Sequence, residues 1–470
     1  MTEARQSVRT FLESLEERGE LLRVDADVNP RYELGAYLWE TASGPAVLFE
    51  HVKGSEFRAF GNLLNSRERI ARALGTSVQN LHDVLAGAVA SRYPPTTVAE
   101  ASAARAVLDP PSWSRLPVPR FFEGEDGAYV TAGVIVAKGG TGKRNVSFAR
   151  LKILSGTTAF IGIAPTHHLA ALAHEAACEG RVLEVAVAIG NHPAVLLAAA
   201  YYLGLGDDEF EVAGALLGEP LELTKCETID LEVPAQAEIV VECVLDPQSE
   251  VNEGLVSEFS GLFHDYGAGP VLTTRCMTRR DDALFQVILP GYSSEHVLVG
   301  AVAIAAVLEE RLRSAVPTVA EVAVTPGGCG RMHAVVSLHE AKPGDAEQVI
   351  LGVLNTVHLV KLVTVVDDDI DVNEPVDVEW ALATRMRADR DVLLLPDMPT
   401  ARADPLGTEG RIGKMGIDAT RKSRDRSTWE VARPPSQALE AARAALQRME
   451  TAAGKRGSAT FAQNRPGQRG

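Results

Sequence analysis

The 470-residue chain carries 46 Lys and Arg against 63 Asp and Glu, a formal charge of −17. A body this acidic repels nucleic acid and anionic lipid, so neither is the expected partner, and an anionic substrate would need local contacts from an arginine, a lysine or a metal. Five scattered cysteines (Cys178, Cys226, Cys243, Cys276, Cys329) with no CxxC support neither a zinc framework nor a disulfide scaffold. With no apolar signal core and no apolar run of the ~18 residues a membrane span requires, a cytoplasmic protein of about three domains is expected.

Residues 7–22 place Val8, Phe11, Leu12 and Leu15 at helical spacing, with Glu and Arg on the other face. Strand candidates at Ala46–His51 and Phe57–Gly61, with helical runs near 66–75 and 79–89, complete an N-terminal α/β unit over 1–110. The Pro-rich 109–119 (DPPSWSRLPVP) reads as a linker. The middle, 111–295, is strand-rich: Gly127–Ala137, Asn145–Leu154, Thr158–Ile163, Glu184–Ile189, Ala237–Leu245, Val271–Met277 and Leu284–Ile288. Helical stretches lie between them at 167–178, 193–200 and 209–217. Many strands with few long helices predict a barrel or a strongly bent sheet.

A long apolar helix, His296–Ser314, forms a linker over 296–315 and leads into alternating strands and helices, at 318–324, 332–340, 344–360, 361–366 and 378–384. This is a second α/β domain, 316–452. After Pro396–Arg424, rich in Gly, Asp and Arg, an amphipathic helix puts Leu439, Ala442, Leu446 and Met449 on one face, to pack on its own domain or to reach a neighbouring subunit. Residues 453–470 read as a disordered tail. The fold class is multidomain α+β or α/β.

Two local motifs fail on inspection. Gly139–Lys143 (GGTGK) resembles the end of a phosphate loop, but Ala137 stands where the first glycine is needed and Arg144 where Ser or Thr is needed. No GxGxxG follows a strand. Asp367, Asp368, Asp369 and Asp371 follow a buried-looking strand, where turn and capping roles are commoner than a metal site. Adjacent His167 and His168 point about 100° apart on a helix and do not easily share one ion.

The stretch Cys243–Pro270 holds Glu253 and Glu258 with Gly254 between them. Five residues apart, the acids lie roughly 140° apart on a helix and on opposite faces of a strand. They reach one pocket only if the chain bends, which Gly254 permits. Paired carboxylates at such a bend suit acid/base chemistry, because crowding separates their proton affinities; two solvated loop acids are the plain alternative.

Several segments in order resemble the UbiD family of decarboxylases, which use prenylated flavin mononucleotide (FMN): NVSFAR (Asn145–Arg150), PTH (Pro165–His167), VAVAIGNHP (Val185–Pro193), DEFEVAG (Asp208–Gly214), KCETIDLEVPAQAEIVVE (Lys225–Glu242), EGLVSE (Glu253–Glu258), VTVVDDDIDV (Val363–Val372) and GKMGIDAT (Gly413–Thr420). The resemblance spans about residues 7 to 450. It implies an N-terminal α/β unit, a central flavin-binding split β-barrel and a C-terminal α/β oligomerisation domain that builds homodimers or hexamers.

Carried over to this sequence, the resemblance makes Asn145, His167 and Glu209 the ligands of a divalent ion, Mn²⁺ or Mg²⁺, held against the flavin phosphate. Backbone carbonyls of Ala198, Ala199 and Tyr201 would hold K⁺. Val146, Ser147, Phe148, Ala149, Arg150 and Thr166 would line the cofactor, with Lys361 a further phosphate contact. Glu253, Arg150 and Glu258 match the family's catalytic set: Arg150 to bind the substrate carboxylate and orient Glu253, Glu258 to donate the proton after CO₂ leaves. The reaction implied is reversible non-oxidative decarboxylation through a covalent flavin adduct, with a flavin prenyltransferase supplying the cofactor.

The sequence departs from the family at Phe259, where the member acting on cinnamic acids has methionine, and at Glu295, where it has threonine. Ile163, Phe259, Glu295, His296 and Val299 are therefore expected as pocket wall. A polar Glu295–His296 pair would suit a heteroaromatic acid with an N–H, such as a pyrrole or indole carboxylate, over cinnamate; a helix-capping Glu295 is the alternative. A flavin-dependent oxidoreductase and a non-catalytic flavin carrier are competing functions, and the full Glu253–Arg150–Glu258 set argues against both.

Overall fold

The structure is a computed structural model that describes residues 5–99, 105–422, 432 and 434–452; the expected tail at 453–470 lies outside them. The first helix, Val8–Glu17, is capped by Ser7, whose hydroxyl accepts from Arg9 N, and it buries Val8, Phe11, Leu12 and Leu15 as the spacing predicts. It lies beside a four-stranded sheet in which Leu21–Val28 pairs parallel with Ala46–Val52, and Ala46–Val52 pairs antiparallel with Arg58–Gly61. The fourth strand is Leu284–Gln286, parallel to Arg58–Gly61. A strand expected in the middle region thus completes the N-terminal sheet. Its side chains Leu284, Phe285 and Gln286 are all buried, a pattern that suits an enclosed parallel strand and carries no label for which sheet it joins.

The central layer is a nine-stranded sheet. Its middle is a pair of long antiparallel strands, Ile239–Asn252 and Ala268–Arg280. Leu183–Ile189, Val134–Lys138 and Arg144–Phe148 follow on one side; Thr158–Ile161, Leu151–Ile153 and Tyr129–Val130 follow on the other. Arg144–Phe148 and Leu151–Ile153 therefore stand near opposite ends of the strand order, yet only Ala149 and Arg150 join them. In a flat sheet these strands would be about 29 Å apart, whereas three Cα steps reach about 11 Å at most. The sheet must curl until its ends approach, and Arg150 sits at that seam. GGTGK is the turn between Val134–Lys138 and Arg144–Phe148.

The 22-residue helix Ser294–Ala315 is largely buried and contacts both the α-helical layer of the central region and the C-terminal sheet. That sheet orders Val319–Val324, His333–Leu338, Leu362–Asp367, Arg411–Asp418 and Val392–Pro399. Arg411–Asp418, a strand, lies within the stretch rich in Gly, Asp and Arg. Gly416 is needed there: a Cβ would come 2.2 Å from Ile350 of the helix Asp345–Thr356, so the helix lies on the strand only where a side chain is missing. The final helix, Ser436–Ala452, leaves Leu446 and Met449 exposed. Among the described residues no helix is long and apolar enough to cross a membrane.

Candidate active site

The long strand ends at Asn252, and the chain turns at Gly254, whose φ is +76°. The left-handed conformation is what favours glycine here; a Cβ would lie 2.0 Å from Asp126 Oδ2, the tip of an exposed side chain that would have to swing aside. A short hairpin, Leu255–Ser257 with Phe263–Asp265, follows and carries Glu258 at its end. The bend brings both acids to the seam.

Arg150 Nε and Nη2 each donate to Glu253, at 2.6 Å to Oε1 and Oε2, and Nη1 reaches Glu258 Oε1 at 3.3 Å. Glu253 is fully buried; Glu258 keeps 13% side-chain exposure and lines a cavity of about 220 Å³. Burial pulls the Arg150 guanidinium down and the Glu253 bonds push it up, for a net rise. Lys152 Nζ donates to the Glu253 carbonyl at 2.5 Å, and buried Glu125 accepts from Ser257 Oγ at 2.7 Å, so the hairpin is anchored on both sides of its acids. One acid is clamped by a bidentate fork, while the other faces open space.

Phe148, Ala149, His296 and Val299 also line this cavity. His296 is partly buried, and its Nδ1 lies 3.0 Å from the Gly291 carbonyl. A carbonyl only accepts, so Nδ1 carries the proton and Nε2 is an acceptor. Burial first, then Arg331, pushes the imidazole down to about 4, leaving it neutral near neutral pH.

Three expected wall residues are not among those lining this cavity. Glu295 turns away from the cavity into the N-terminal unit, where Oε1 accepts from Leu64 N at 2.8 Å. Adjacent residues on a helix point about 100° apart, so Glu295 and His296 do not face one pocket. Glu295 is 1% exposed, and among the described residues Oε2 has no hydrogen-bond partner within bonding distance. Burial pushes its carboxyl up to about 7, against the opposing bonds from Leu64, Leu63 and Asn62. Phe259 lies under the Arg331 guanidinium, 5.6 Å from its carbon, and is not part of the lining. Ile163 contributes its carbonyl to Arg402, at 3.1 Å from Nη2.

The expected metal ligands sit on three elements. Asn145, on Arg144–Phe148, donates from Nδ2 to Glu209 Oε1 at 3.3 Å, and Val146 N donates to Glu209 Oε2 at 2.7 Å. Among the described residues the Asn145 Oδ1 and Ser147 Oγ atoms are buried without a hydrogen-bond partner. Glu209 opens the helix Glu209–Leu217 and is 2% exposed; burial pushes it up to about 8. His167 caps the helix His168–Cys178, and burial, with His168, pushes it down to about 4, so it is a neutral imidazole. An orphaned amide oxygen, a buried carboxylate and a neutral imidazole fit a divalent cation. Thr166 is exposed. Ala198 O already accepts from Tyr201 N at 3.1 Å, and the Tyr201 hydroxyl donates to Leu85 O at 2.9 Å. Lys361 Nζ is held by Asp404 at 2.9 Å in the C-terminal domain and is not part of the cavity lining.

Sequence reasoning missed Arg331, Gly300 and Tyr266. Arg331, from the C-terminal domain, lines the cavity and bonds the carbonyls of Gly330 (2.9 Å) and Val297 (3.4 Å). Among the described residues no carboxylate lies within 4.0 Å of it, and burial lowers its guanidinium below the ordinary arginine range. A Cβ on Gly300 would fall 1.8 Å from Nη2, so Arg331 occupies the place of a missing side chain. No local motif marks either residue; the only signal was the charge argument that an acidic protein needs a local cation for an anion.

A family model described as the UbiD 3-octaprenyl-4-hydroxybenzoate carboxy-lyase Rift-related domain matches residues 96–293, and the corresponding C-terminal and N-terminal domain models match 297–419 and 12–89. The anhydromevalonate phosphate decarboxylase of Methanothermobacter thermautotrophicus is 33% identical over 88% of this chain and 96% of its own length. The UbiD-class enzyme HmfF from Pelotomaculum thermopropionicum, solved with FMN, is 38% identical, with a TM-score of 0.86 over 91% of this chain and 97% of that one. An evolved dimeric form of HmfF, solved with prenylated FMN, is 37% identical with a TM-score of 0.84 over 92% and 97%. With all three domain models matched in order, the chain belongs to the UbiD family and is a carboxy-lyase of that class.

Proposed function

We propose that this chain decarboxylates an unsaturated, aromatic or heteroaromatic acid that carries a second anionic group, using prenylated FMN. The single observation that carries the reaction is the division of labour around Arg150: Glu253 is bound on both oxygens and Glu258 faces the cavity. Glu253 fixes the guanidinium. Arg150 Nη1, the edge that Glu253 leaves free, takes the substrate carboxylate beside Glu258. Glu258 gives its proton to the carbon that CO₂ leaves, and in the reverse direction takes it back. When bound, the prenylated flavin supplies the sink for the electron pair of the broken C–C bond. Asn145, His167 and Glu209 would hold Mn²⁺ or Mg²⁺ for the cofactor, and carbonyls of Ala198, Ala199 and Tyr201 would hold K⁺.

Arg331 favours the second anion. Among the described residues Arg331 has no carboxylate within ion-pair distance and feels the field of Glu258 only at longer range, so a buried guanidinium at the cavity wall gains from a ligand that supplies charge. The curated relative's name, anhydromevalonate phosphate decarboxylase, describes an acid with a phosphate beside its carboxylate, which is the same pattern. His296 Nε2 adds an acceptor for an N–H or O–H on the substrate.

The test is CO₂ release by protein produced with a flavin prenyltransferase. Matched acids with and without a second carboxylate or phosphate form the panel. The dianions are expected to lead by at least about tenfold in kcat/KM, and Arg331→Gln to erase that lead. Equal turnover of monoacids with no effect of Arg331→Gln removes the second anion from the proposal. No CO₂ from any acid, with flavin bound, removes the decarboxylase reading of this site.

A further inference from the structure

We infer that Arg402 is a positioning residue for the reaction: it reaches from the C-terminal domain onto Tyr266 and through that ring holds Arg150 in line with Glu258. The inference rests on the roles proposed above for Arg150 and Glu258.

Arg402 lies between the strands Val392–Pro399 and Arg411–Asp418. Its guanidinium carbon is 4.5 Å from the centroid of the Tyr266 ring, and Nη2 donates to Ile163 O at 3.1 Å. The guanidinium carbon of Arg150 is 5.0 Å from the same centroid. Tyr266 follows the hairpin strand Phe263–Asp265 and stacks on His264 at 5.6 Å with 9° between planes. One aromatic ring on the Glu258 hairpin is thus shared by two cations from different domains.

Burial first, and then repulsion from the Arg150 guanidinium across the same ring, lower the Arg402 guanidinium. The arrangement is sustained by the electron-rich ring and by the two nearby carboxylates. The base of the Arg402 loop is rigid. Asp404, 3% exposed, accepts from Lys361 Nζ at 2.9 Å and from Leu406 N at 3.0 Å. Arg402 is therefore presented from a fixed platform. Without it, Tyr266 loses one of its two cations, and Nη1 of Arg150 loses the neighbour that fixes its angle.

The test is a double-mutant cycle on the holoenzyme, read in kcat, KM, flavin content and Tm. Arg402→Ala is expected to lower kcat about 10- to 100-fold with KM within about threefold, since a small misplacement of reacting groups costs this much. Arg402→Lys restores kcat to within about threefold of wild type. Tyr266→Leu loses as much as Arg402→Ala, and the double variant is no worse than Tyr266→Leu alone. Hydrogen exchange of residues 255–267, which needs no turnover, is faster in Arg402→Ala and unchanged in Arg402→Lys. Unchanged kcat in Arg402→Ala, losses that multiply in the double variant, or a kcat loss matched by lost flavin and a lower Tm overturns the inference. If the wild type decarboxylates nothing, the proposed function fails, and the exchange measurement alone decides the contact: equal exchange in all variants overturns it.

Discussion

Two clusters in this protein are built from the same parts, an arginine between two carboxylates, and they end up with opposite uses. At the seam of the central sheet, Arg150 spends two nitrogens on Glu253 and leaves one toward Glu258 and a cavity. In the C-terminal domain, Arg385 is fully buried; Nη1 donates to Asp367 and Asp369 and Nη2 to Asp369, while the guanidinium lies 5.0 Å from the Trp380 centroid. Arg421 adds a second cation, 2.9 Å from Asp369. That cluster is closed. Asp367 and Asp369 are filled by guanidinia and leave no edge toward a cavity. The difference is unspent hydrogen-bonding capacity next to space, and residue type does not reveal it.

The comparison breaks most sharply at Glu258. Glu258→Gln keeps the shape and removes the proton, and CO₂ release is expected to fall at least about 100-fold with the flavin absorption spectrum intact. Retained turnover would assign the proton to another group. Arg385→Leu should do the reverse. It leaves the partly buried Asp367 and Asp369 with Arg421 alone, at a cost of about 1–3 kcal/mol in denaturant unfolding, with kcat per folded, flavin-loaded molecule unchanged.

Glu295 offers a third kind of buried acid, with no ion pair among the described residues and, as cation, only the more distant Arg69 to oppose its burial. Its folded value of about 7 lies above the ordinary 4.5, so its contribution to stability is fully present below pH 4.5 and fades as pH rises through 7. The loss is on the order of 3 kcal/mol. Glu295→Gln should flatten the stability-against-pH curve over that window, as measured by urea midpoints at pH 5 and pH 8. The smallest effect belongs to Arg181, whose pair with Glu179 is half-exposed on both sides. Arg181→Ala should move stability by less than about 0.5 kcal/mol.

Much of the site was legible because its residues fall in short, ordered segments. Asn145 to Arg150 lie on one strand and its end, and the bend at Gly254 follows from the awkward spacing of Glu253 and Glu258. What was hidden comes from tertiary proximity. Arg331 and Arg402 arrive from loops of another domain, and no spacing in the chain ties them to residue 150. Glu295 was misread because adjacency to His296 suggested a shared face that helical geometry denies. In the fold, the long amphipathic and apolar patterns gave helices at the expected places. Arg411–Asp418 escaped because its strand character depends on what covers it, and a glycine there signals a close helix as readily as a loop.

The return of Leu284–Gln286 to the sheet begun by Leu21–Val28 sets an order on synthesis. As the chain leaves the ribosome, residues 58–61 present an unpaired edge until residues 284–286 have followed the entire central sheet out. That wait makes the first unit a late finisher despite its early place in the chain, and leaves its open edge exposed to wrong partners in the meantime. A fragment ending near the Pro-rich stretch at 109–119 would keep this edge permanently bare, so proteolytic trimming or gene splitting there should yield aggregates rather than an independent domain.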